Sequence, residues 1–302
     1  MSKLFPGLKF FNLTTPEKVT IKTLDLPDYD SEFYHASAKK IQFIIPTKGP
    51  TIEHTANSTF PRCELRETLE DGTLAWWTPE LFELNWLEYT VSVDDPGYEG
   101  NVIIGQIHGK GDNPPIKIQY NDQDKNGVGR IVFQSREYLG GKEIKEDILT
   151  DVKPGDKLTI RISLNSKYLL TVTINGTEFS RQLNRQSYKD DRFYFKIGGY
   201  VQTVVNSADS TGLVNLYSLD LYHGAAEVVT PPVEPEPEQP TEAELIGQEL
   251  EAIETQYKLA LIDLTTAKTR LNAASTRIKA LTDAAERLAL NTQAAEVKKA
   301  LV

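Results

Sequence analysis

The sequence has very little of what several common kinds of functional site require. It contains a single cysteine, Cys63, in 302 residues, which excludes an intrachain disulfide and argues against a cysteine-based metal site. The four histidines show no spacing typical of metal ligands; they are His35, His54, His108 and His223. We therefore expect neither a metal ion nor another cofactor.

Positive charge and long apolar segments are also scarce. The chain has 33 Lys and Arg against 43 Asp and Glu, a formal net charge of -10, which argues against a nucleic-acid partner. Its apolar runs are short, so no membrane-spanning helix and no membrane partner are expected. A polyanionic ligand would require basic side chains to be concentrated in one cleft.

Residues 1–224 have the pattern of a β domain. Short alternating segments such as KIQFIIP (40–46), GRIVFQ (129–134) and LTIRISL (158–164) are separated by turn sequences such as Asn175-Gly176. Many strands at this spacing predict a mainly β fold, a jelly-roll sandwich of two antiparallel sheets. Helical periodicity is weak in this region and is suggested only around residues 78–86.

The composition changes abruptly near residue 225. Residues 225–240 include TPPVEPEPEQP, which predicts an extended Pro/Glu-rich linker. Residues 241–302 predict a long C-terminal α-helix: apolar residues recur in alternating steps of four and three from Ile246 to Val302, broken only at Thr292 and Lys299. We expect self-association through residues 246–302 as a coiled coil, with a trimer weakly favoured. The alternative is a helix or helical hairpin that folds back on the β domain.

Three segments of the β domain combine an apolar back with a polar front. In RCELR (62–66), Arg62, Glu64 and Arg66 point to one face, and the other two residues point to the opposite face. GQIHG (105–109) and YFKIGGYVQ (194–202) have the same construction. The front-face residues of these two segments include Gln106, His108, Lys196, Tyr200 and Gln202, and IKIQY (116–120) adds Lys117 and Gln119.

Each of these residues also has an ordinary structural interpretation. A single histidine on a strand is more often structural than catalytic, and an Arg-Glu-Arg strand is more often a solvated face with weak ion pairs. The case for a site depends on three strands that share one pattern. Together they offer cations, an amide and proton-transfer groups, a set that suits binding of a carboxylated sugar polymer. Glu64 would hold the guanidinium groups of both arginines through bidentate pairs.

The three segments resemble the signatures of polysaccharide lyase family 7, the alginate lyases. That family carries R-(S/T)-E-L-R, Q-(I/V)-H and Y-F-K-A-G-x-Y-x-Q, and this sequence has RCELR, QIH and YFKIGGYVQ in the same order. The resemblance covers about residues 5–223. Cys63 and Ile197 depart from the family pattern, and both lie on the apolar backs of their strands.

The resemblance implies an enzyme, an endo-acting lyase that cleaves alginate or a related polyuronate by β-elimination. Its catalytic residues would be Arg62, Gln106, His108 and Tyr200. Substrate-binding residues would be Glu64, Arg66, Lys196 and Gln202 by the resemblance, with Lys117 and Gln119 added from the strand pattern. The isoleucine of QIH is associated in the family with activity on guluronate-containing stretches.

Two further questions concern the class of function and its setting. The alternative to an enzyme is a non-catalytic carbohydrate-binding or adhesion module that is assembled through the coiled coil. Action is expected outside the cell, although the N-terminal sequence lacks the long apolar segment of a secretory signal. We therefore expect either a trimmed signal or a protein carried on a phage particle.

Overall fold

The computed structural model describes residues 5–55, 58–110 and 114–224, and positions 243, 246–247, 249–250, 253, 264–280 and 284–301 near the C-terminus. The chain divides into two compact units, Met1–Glu227 and Val228–Val302. The predicted linker, 225–240, lies outside the described residues.

The described part of the first unit consists mainly of β-strands. Three short 3-10 helices occur at Pro6–Phe10, Leu26–Asp28 and Pro79–Leu81, and a single-turn helix, α1, spans Arg185–Tyr188. The strands are β1 (Phe11–Thr14), β2 (Thr20–Ile21), β3 (Tyr34–Ala36), β4 (Ile41–Pro46), β5 (Arg62–Glu67), β6 (Leu84–Asp95), β7 (Asn101–Gly109), β8 (Ile116–Asn121), β9 (Gly129–Ser135), β10 (Ile144–Val152), β11 (Leu158–Asn165), β12 (Leu169–Ile174), β13 (Thr177–Gln182), β14 (Phe193–Val201) and β15 (Thr211–Gly224).

These strands form two antiparallel sheets packed as a sandwich, which confirms the predicted jelly-roll class. The eight-stranded sheet has the order β10-β9-β8-β7-β14-β5-β1-β2, and the seven-stranded sheet has the order β13-β12-β11-β6-β15-β4-β3. Alternation along each strand sends apolar side chains into one shared core. Fully buried members of that core include Phe11, Phe43, Tyr89, Phe133 and Phe195.

The order of the larger sheet brings together strands that are far apart in sequence. β14 lies between β5 and β7, so RCELR, YFKIGGYVQ and GQIHG are direct neighbours. Gly198 has φ +140°, and a Cβ there would lie 2.5 Å from the Cys63 carbonyl oxygen, so close packing of β14 on β5 requires glycine. On the back of β5, the buried Cys63 thiol donates to the Phe33 carbonyl at 3.2 Å.

The described part of the C-terminal unit is helical, as the heptad pattern predicts, but its segments do not lie along one continuous helix. It contains α2 (Leu264–Ala280) and α3 (Ala284–Ala300), which pack on each other. Arg277 donates to Glu249 at 2.7 Å although the residues are 28 positions apart, a separation that would be about 42 Å along a single helix.

The structure buries the predicted apolar seam of this unit only in part. Among the described seam positions, Ile246, Leu250, Ile253, Ala267, Leu271, Ala274 and Ile278 are buried, whereas Thr292, Ala295 and Lys299 in α3 are exposed. The buried side chains of α3 and the residue after it are instead Leu290, Ala294, Val297 and Leu301, so the predicted heptad positions are wrong there. The apolar side chains of this unit can therefore be buried by the chain's own helices, and self-association stays a prediction. Among the described residues, no helix has the length and apolar character needed to cross a membrane.

Candidate active site

Strand pairing aligns most of the predicted site residues across the centre of the larger sheet. Lys196 lies opposite Arg66 on β5 and Gln106 on β7, while Tyr200 lies opposite Arg62. Their side chains open into a cleft of about 360 Å³. The residues lining it are Thr14, Thr55, Arg62, Arg66, Gln106, His108, Lys110, Pro114, Lys117, Tyr194, Lys196 and Tyr200.

Glu64 is the buried anion beneath this cleft, with 1% of its surface exposed. It accepts hydrogen bonds from Lys196 Nζ and Gln106 Nε2, and from Arg62 Nη1 at 3.3 Å. Burial alone would raise the pKa of the Glu64 carboxyl, but the charges of Lys196 and Arg62 and the hydrogen bonds hold it below its ordinary value. Glu64 is therefore ionised and fixes three cleft residues at once.

The prediction that Glu64 holds both arginines through bidentate pairs is wrong, because Arg62 reaches it through Nη1 alone and Arg66 bonds elsewhere. The Arg66 guanidinium turns away, donates to the Glu67 carbonyl at 2.8 Å and lies over the rings of Tyr194 at 3.9 Å and Trp76 at 4.8 Å. Aromatic faces attract a guanidinium, and these rings compete successfully with the carboxylate. Arg66 thus belongs to an aromatic cluster at one end of the cleft.

His108 is held as a neutral base. Its Nδ1 donates to the Gly109 carbonyl at 2.7 Å, so the lone pair of the neutral ring is on Nε2. The ring stacks on Tyr194 with centroids 5.2 Å apart. Burial, followed by the positive charge of Lys196, lowers the pKa of His108 to about 4. At neutral pH, His108 is ready to accept a proton.

Tyr200 is oriented from two sides. Its hydroxyl shares a hydrogen bond of 2.7 Å with the Ser58 hydroxyl, and its ring lies 3.9 Å from the Arg62 guanidinium. Arg62 also donates to the Thr55 hydroxyl at 3.5 Å. The phenol and the guanidinium are therefore presented to the cleft as one preorganised pair.

The cleft is strongly basic although the protein is acidic. Five basic side chains line it, namely Arg62, Arg66, Lys110, Lys117 and Lys196, and none of the lining residues that the structure describes is acidic. Burial lowers the pKa of Lys196 to about 8, although Glu64 favours its charged form. Lys117 is paired with Glu143 at 2.7 Å beside the cleft. This local concentration of cations suits a polyanionic chain.

Two predicted binding residues lie elsewhere on the same sheet. Gln119 and Gln202 line a neighbouring cavity of about 700 Å³ instead of the cleft. Gln119 accepts a hydrogen bond from Gln134 Nε2, and Gln202 Nε2 donates to the Tyr200 carbonyl at 3.0 Å. Two register shifts accompany this separation: one in β14 between Ile197 and Tyr200, opposite β7, and one in β7 between Ile103 and Gly105, opposite β8.

The prediction also omitted residues that contact the cleft. The period-2 pattern places Tyr194 on the polar face of YFKIGGYVQ, although it is not among the ten predicted site residues. Lys110, Thr14 and Thr55 carry no such signal, because they reach the cleft only through tertiary packing.

Comparison with known proteins identifies close parallels. A family model described as alginate lyase matches residues 7–223, all within the β-sheet unit. An alginate lyase from Klebsiella pneumoniae is 25% identical over 260 residues, 69% of this chain and 84% of that protein. A crystal structure of an alginate lyase from Pseudomonas aeruginosa has TM-score 0.65 and 32% identity, covering 72% of this chain and 100% of that chain. The family 7 alginate lyase A1-II', in complex with the product GGG, has TM-score 0.64 and 26% identity, covering 74% and 98%.

Proposed function

Because the chain belongs to the alginate lyase family of polysaccharide lyases, we propose that it cleaves alginate by β-elimination in the cleft between β5, β14 and β7. The observation that carries this proposal is the neutral His108 beside five basic side chains and the Tyr200 hydroxyl. The group needed to take a proton and the groups needed to hold a carboxylate occupy one cleft.

The first requirement of the reaction is to make the sugar's C5 proton acidic. That proton is adjacent to the uronate carboxylate, and its removal places negative charge on the carboxylate oxygens. Arg62 and Gln106 would stabilise that charge, and Lys196 adds a further cation. Glu64 keeps all three in place through its hydrogen bonds.

The second requirement is a matched base and acid. A base takes the C5 proton, the electron pair forms the C4–C5 double bond, and the C4–O bond breaks. His108 would be the base for guluronate, where proton and leaving group are anti, and Tyr200 would be the base for mannuronate, where they are syn. In both cases the Tyr200 hydroxyl protonates the leaving oxygen, and the products are unsaturated oligosaccharides.

The direct experiment incubates the protein with polymannuronate, polyguluronate and mixed alginate. Ultraviolet absorbance from the new C4–C5 double bond should rise, and short oligosaccharides early in the reaction would indicate endo action. If the polymers bind without any absorbance increase, the alternative of a carbohydrate-binding or adhesion module is correct. Absence of both binding and absorbance on every uronan would reject both functions.

The pH dependence should reflect the unusual His108. As a base it must be neutral, and with a pKa of about 4 against an ordinary value of 6.5 it stays neutral in mildly acidic solution. We expect kcat/KM on polyguluronate to change little between about pH 7 and about pH 5.5. Initial rates, with circular dichroism at each pH to verify folding, measure this. A half-maximal rate near pH 6.5 would contradict it.

Self-association through residues 246–302 is a separate proposal, based on the heptad pattern. Light scattering on the full chain and on a chain ending at residue 224 should give different oligomeric states, with a trimer as the expected full-length form. Because many of the described apolar side chains of this unit are already buried within one chain, a monomeric mass for both proteins would assign the helices to intrachain packing alone. Action outside the cell, from a secreted enzyme or a phage particle, also stays a prediction.

A further inference from the structure

Asp191, in the short connection between α1 and β14, is a buried carboxylate next to the base. It is 6% exposed, and its Oδ1 accepts from the backbone N–H groups of Lys110 at 2.9 Å and Arg192 at 2.8 Å. Its Oδ2 is also buried and has no hydrogen-bond partner within the described part of the chain. None of the sequence motifs includes this residue.

Gly109 allows the carboxylate to approach the end of β7. A Cβ at Gly109 would lie 2.2 Å from Asp191 Oδ2, so any other residue would push the carboxylate away. The glycine therefore has a specific steric role directly after His108.

A single peptide group connects Asp191 with His108. The Lys110 N–H donates to Asp191, and the Gly109 carbonyl accepts from His108 Nδ1 at 2.7 Å. These two groups belong to the same planar, resonance-coupled peptide unit. A carboxylate at its N–H end polarises the unit and makes the carbonyl at the other end a stronger acceptor.

We propose that Asp191 is a positioning residue for His108, acting through the Gly109–Lys110 peptide to fix the imidazole tautomer and to strengthen Nε2 as a base. In a carboxylate–imidazole pair, the carboxylate orients the ring by a direct hydrogen bond; here a peptide group lies between the two. The proposal rests on the proposed β-elimination with His108 as base. It gives Asp191, a residue outside the predicted site, a role in that reaction.

Asp191 acts against the other charges around the imidazole. The charged and titratable groups that face His108 come from β5, β8, β14 and the residue after β7: Glu64, Arg62, Lys117, Tyr194, Lys196 and Lys110. Most of these are cations, which oppose protonation of the ring. A carboxylate on the Nδ1 side offsets part of that effect as the proton arrives on Nε2.

The test variant is Asp191→Asn, which keeps the shape and an oxygen acceptor for both backbone N–H groups but removes the charge. On polyguluronate we expect kcat to fall about tenfold with KM changed less than about twofold. On polymannuronate, where Tyr200 is the proposed base, the fall should be much smaller. The acid limb of the polyguluronate pH profile should move to lower pH, because loss of the carboxylate disfavours the imidazolium.

The matched control is Asp122→Asn. Asp122 is 7% exposed and accepts from the backbone N–H groups of Asn126 and Gly127, at 3.2 and 3.1 Å, in the loop between β8 and β9. It makes the same kind of loop contacts without a link to His108, so its variant should keep wild-type activity and the wild-type pH profile. If Asp191→Asn loses the same fraction of activity on both polymers and the acid limb of its pH profile does not move, Asp191 has only a structural role and the proposal is overturned.

A measurement without substrate separates this proposal from the proposed function. Nitrogen NMR of the His108 ring in the whole protein should show the Nδ1–H tautomer in the wild type and a larger Nε2–H fraction in Asp191→Asn. An unchanged tautomer would overturn the positioning role even if the enzyme is active. If the wild type produces no double-bond absorbance, the proposed function fails, and the NMR result still decides whether Asp191 controls the ring.

Discussion

Replacement of Tyr200 by phenylalanine should reduce elimination on every uronan by about a thousandfold or more while the polymer still binds. The hydroxyl is the proposed proton donor to the leaving oxygen, and phenylalanine has no proton to supply. The ring stays available to the Arg62 guanidinium, which lies 3.9 Å from its centroid, and to Phe60 at 6.1 Å. The loss should therefore appear in kcat and not in KM.

Initial rates of double-bond absorbance and calorimetric binding of alginate oligomers measure the two effects separately. Tyr217→Phe is the matched control: its hydroxyl lies 3.3 Å from the Ser92 hydroxyl on the outer face of the seven-stranded sheet. It should retain wild-type rates. If Tyr200→Phe keeps more than about a tenth of the wild-type rate, another group donates the proton and the assignment of Tyr200 is wrong.

Replacement of Glu64 by glutamine should lower both stability and activity. It leaves Lys196 and Arg62 in a buried site without their anion, which costs about 3 kcal/mol of unfolding free energy, and it should reduce kcat/KM by about a hundredfold. Because the folded-state pKa of Glu64 is lowered, its stabilisation is present above the unfolded-state pKa, near 4.5, and disappears as pH falls through the folded-state value. The stability difference between wild type and variant should therefore shrink in acid.

Denaturant unfolding at about pH 7 and about pH 3.5 measures this difference. Glu88→Gln is the control, since Glu88 pairs with Arg161 at 2.8 Å but is 39% exposed, and an exposed pair contributes less than about 1 kcal/mol. Adding Lys196→Met to Glu64→Gln should restore stability but not activity. A Glu64→Gln protein as stable as the wild type would show that the buried cations need no partner.

The sequence patterns predicted the sandwich and the cleft strands well because both depend on local alternation. A period of two on RCELR, GQIHG and YFKIGGYVQ decides which side chains face forward, and antiparallel pairing then brings the strands together. Seven of the ten predicted site residues line the cleft, and Glu64 lies directly beneath it. Their catalytic and binding roles stay predictions.

The errors have a different origin. The orientation of the Arg66 side chain depends on its contacts with Trp76, from a loop, and Tyr194, from another strand. The separate position of Gln119 and Gln202 depends on pairing irregularities that no composition rule reveals. Asp191 reaches His108 only because two chain segments 81 positions apart meet at Lys110. The heptad seam of the C-terminal unit predicted helices but could not distinguish packing within a chain from packing between chains.

The position of Cys63 has a practical consequence for experiments on this protein. It is the only thiol in the chain, it is fully buried on the back of β5, and burial raises the pKa of that thiol. Thiolate is the reactive form, so the native protein should resist maleimide reagents. A cysteine introduced on the surface would then carry a fluorophore or spin label alone, and cleft movements during polymer binding could be followed without first removing the natural cysteine.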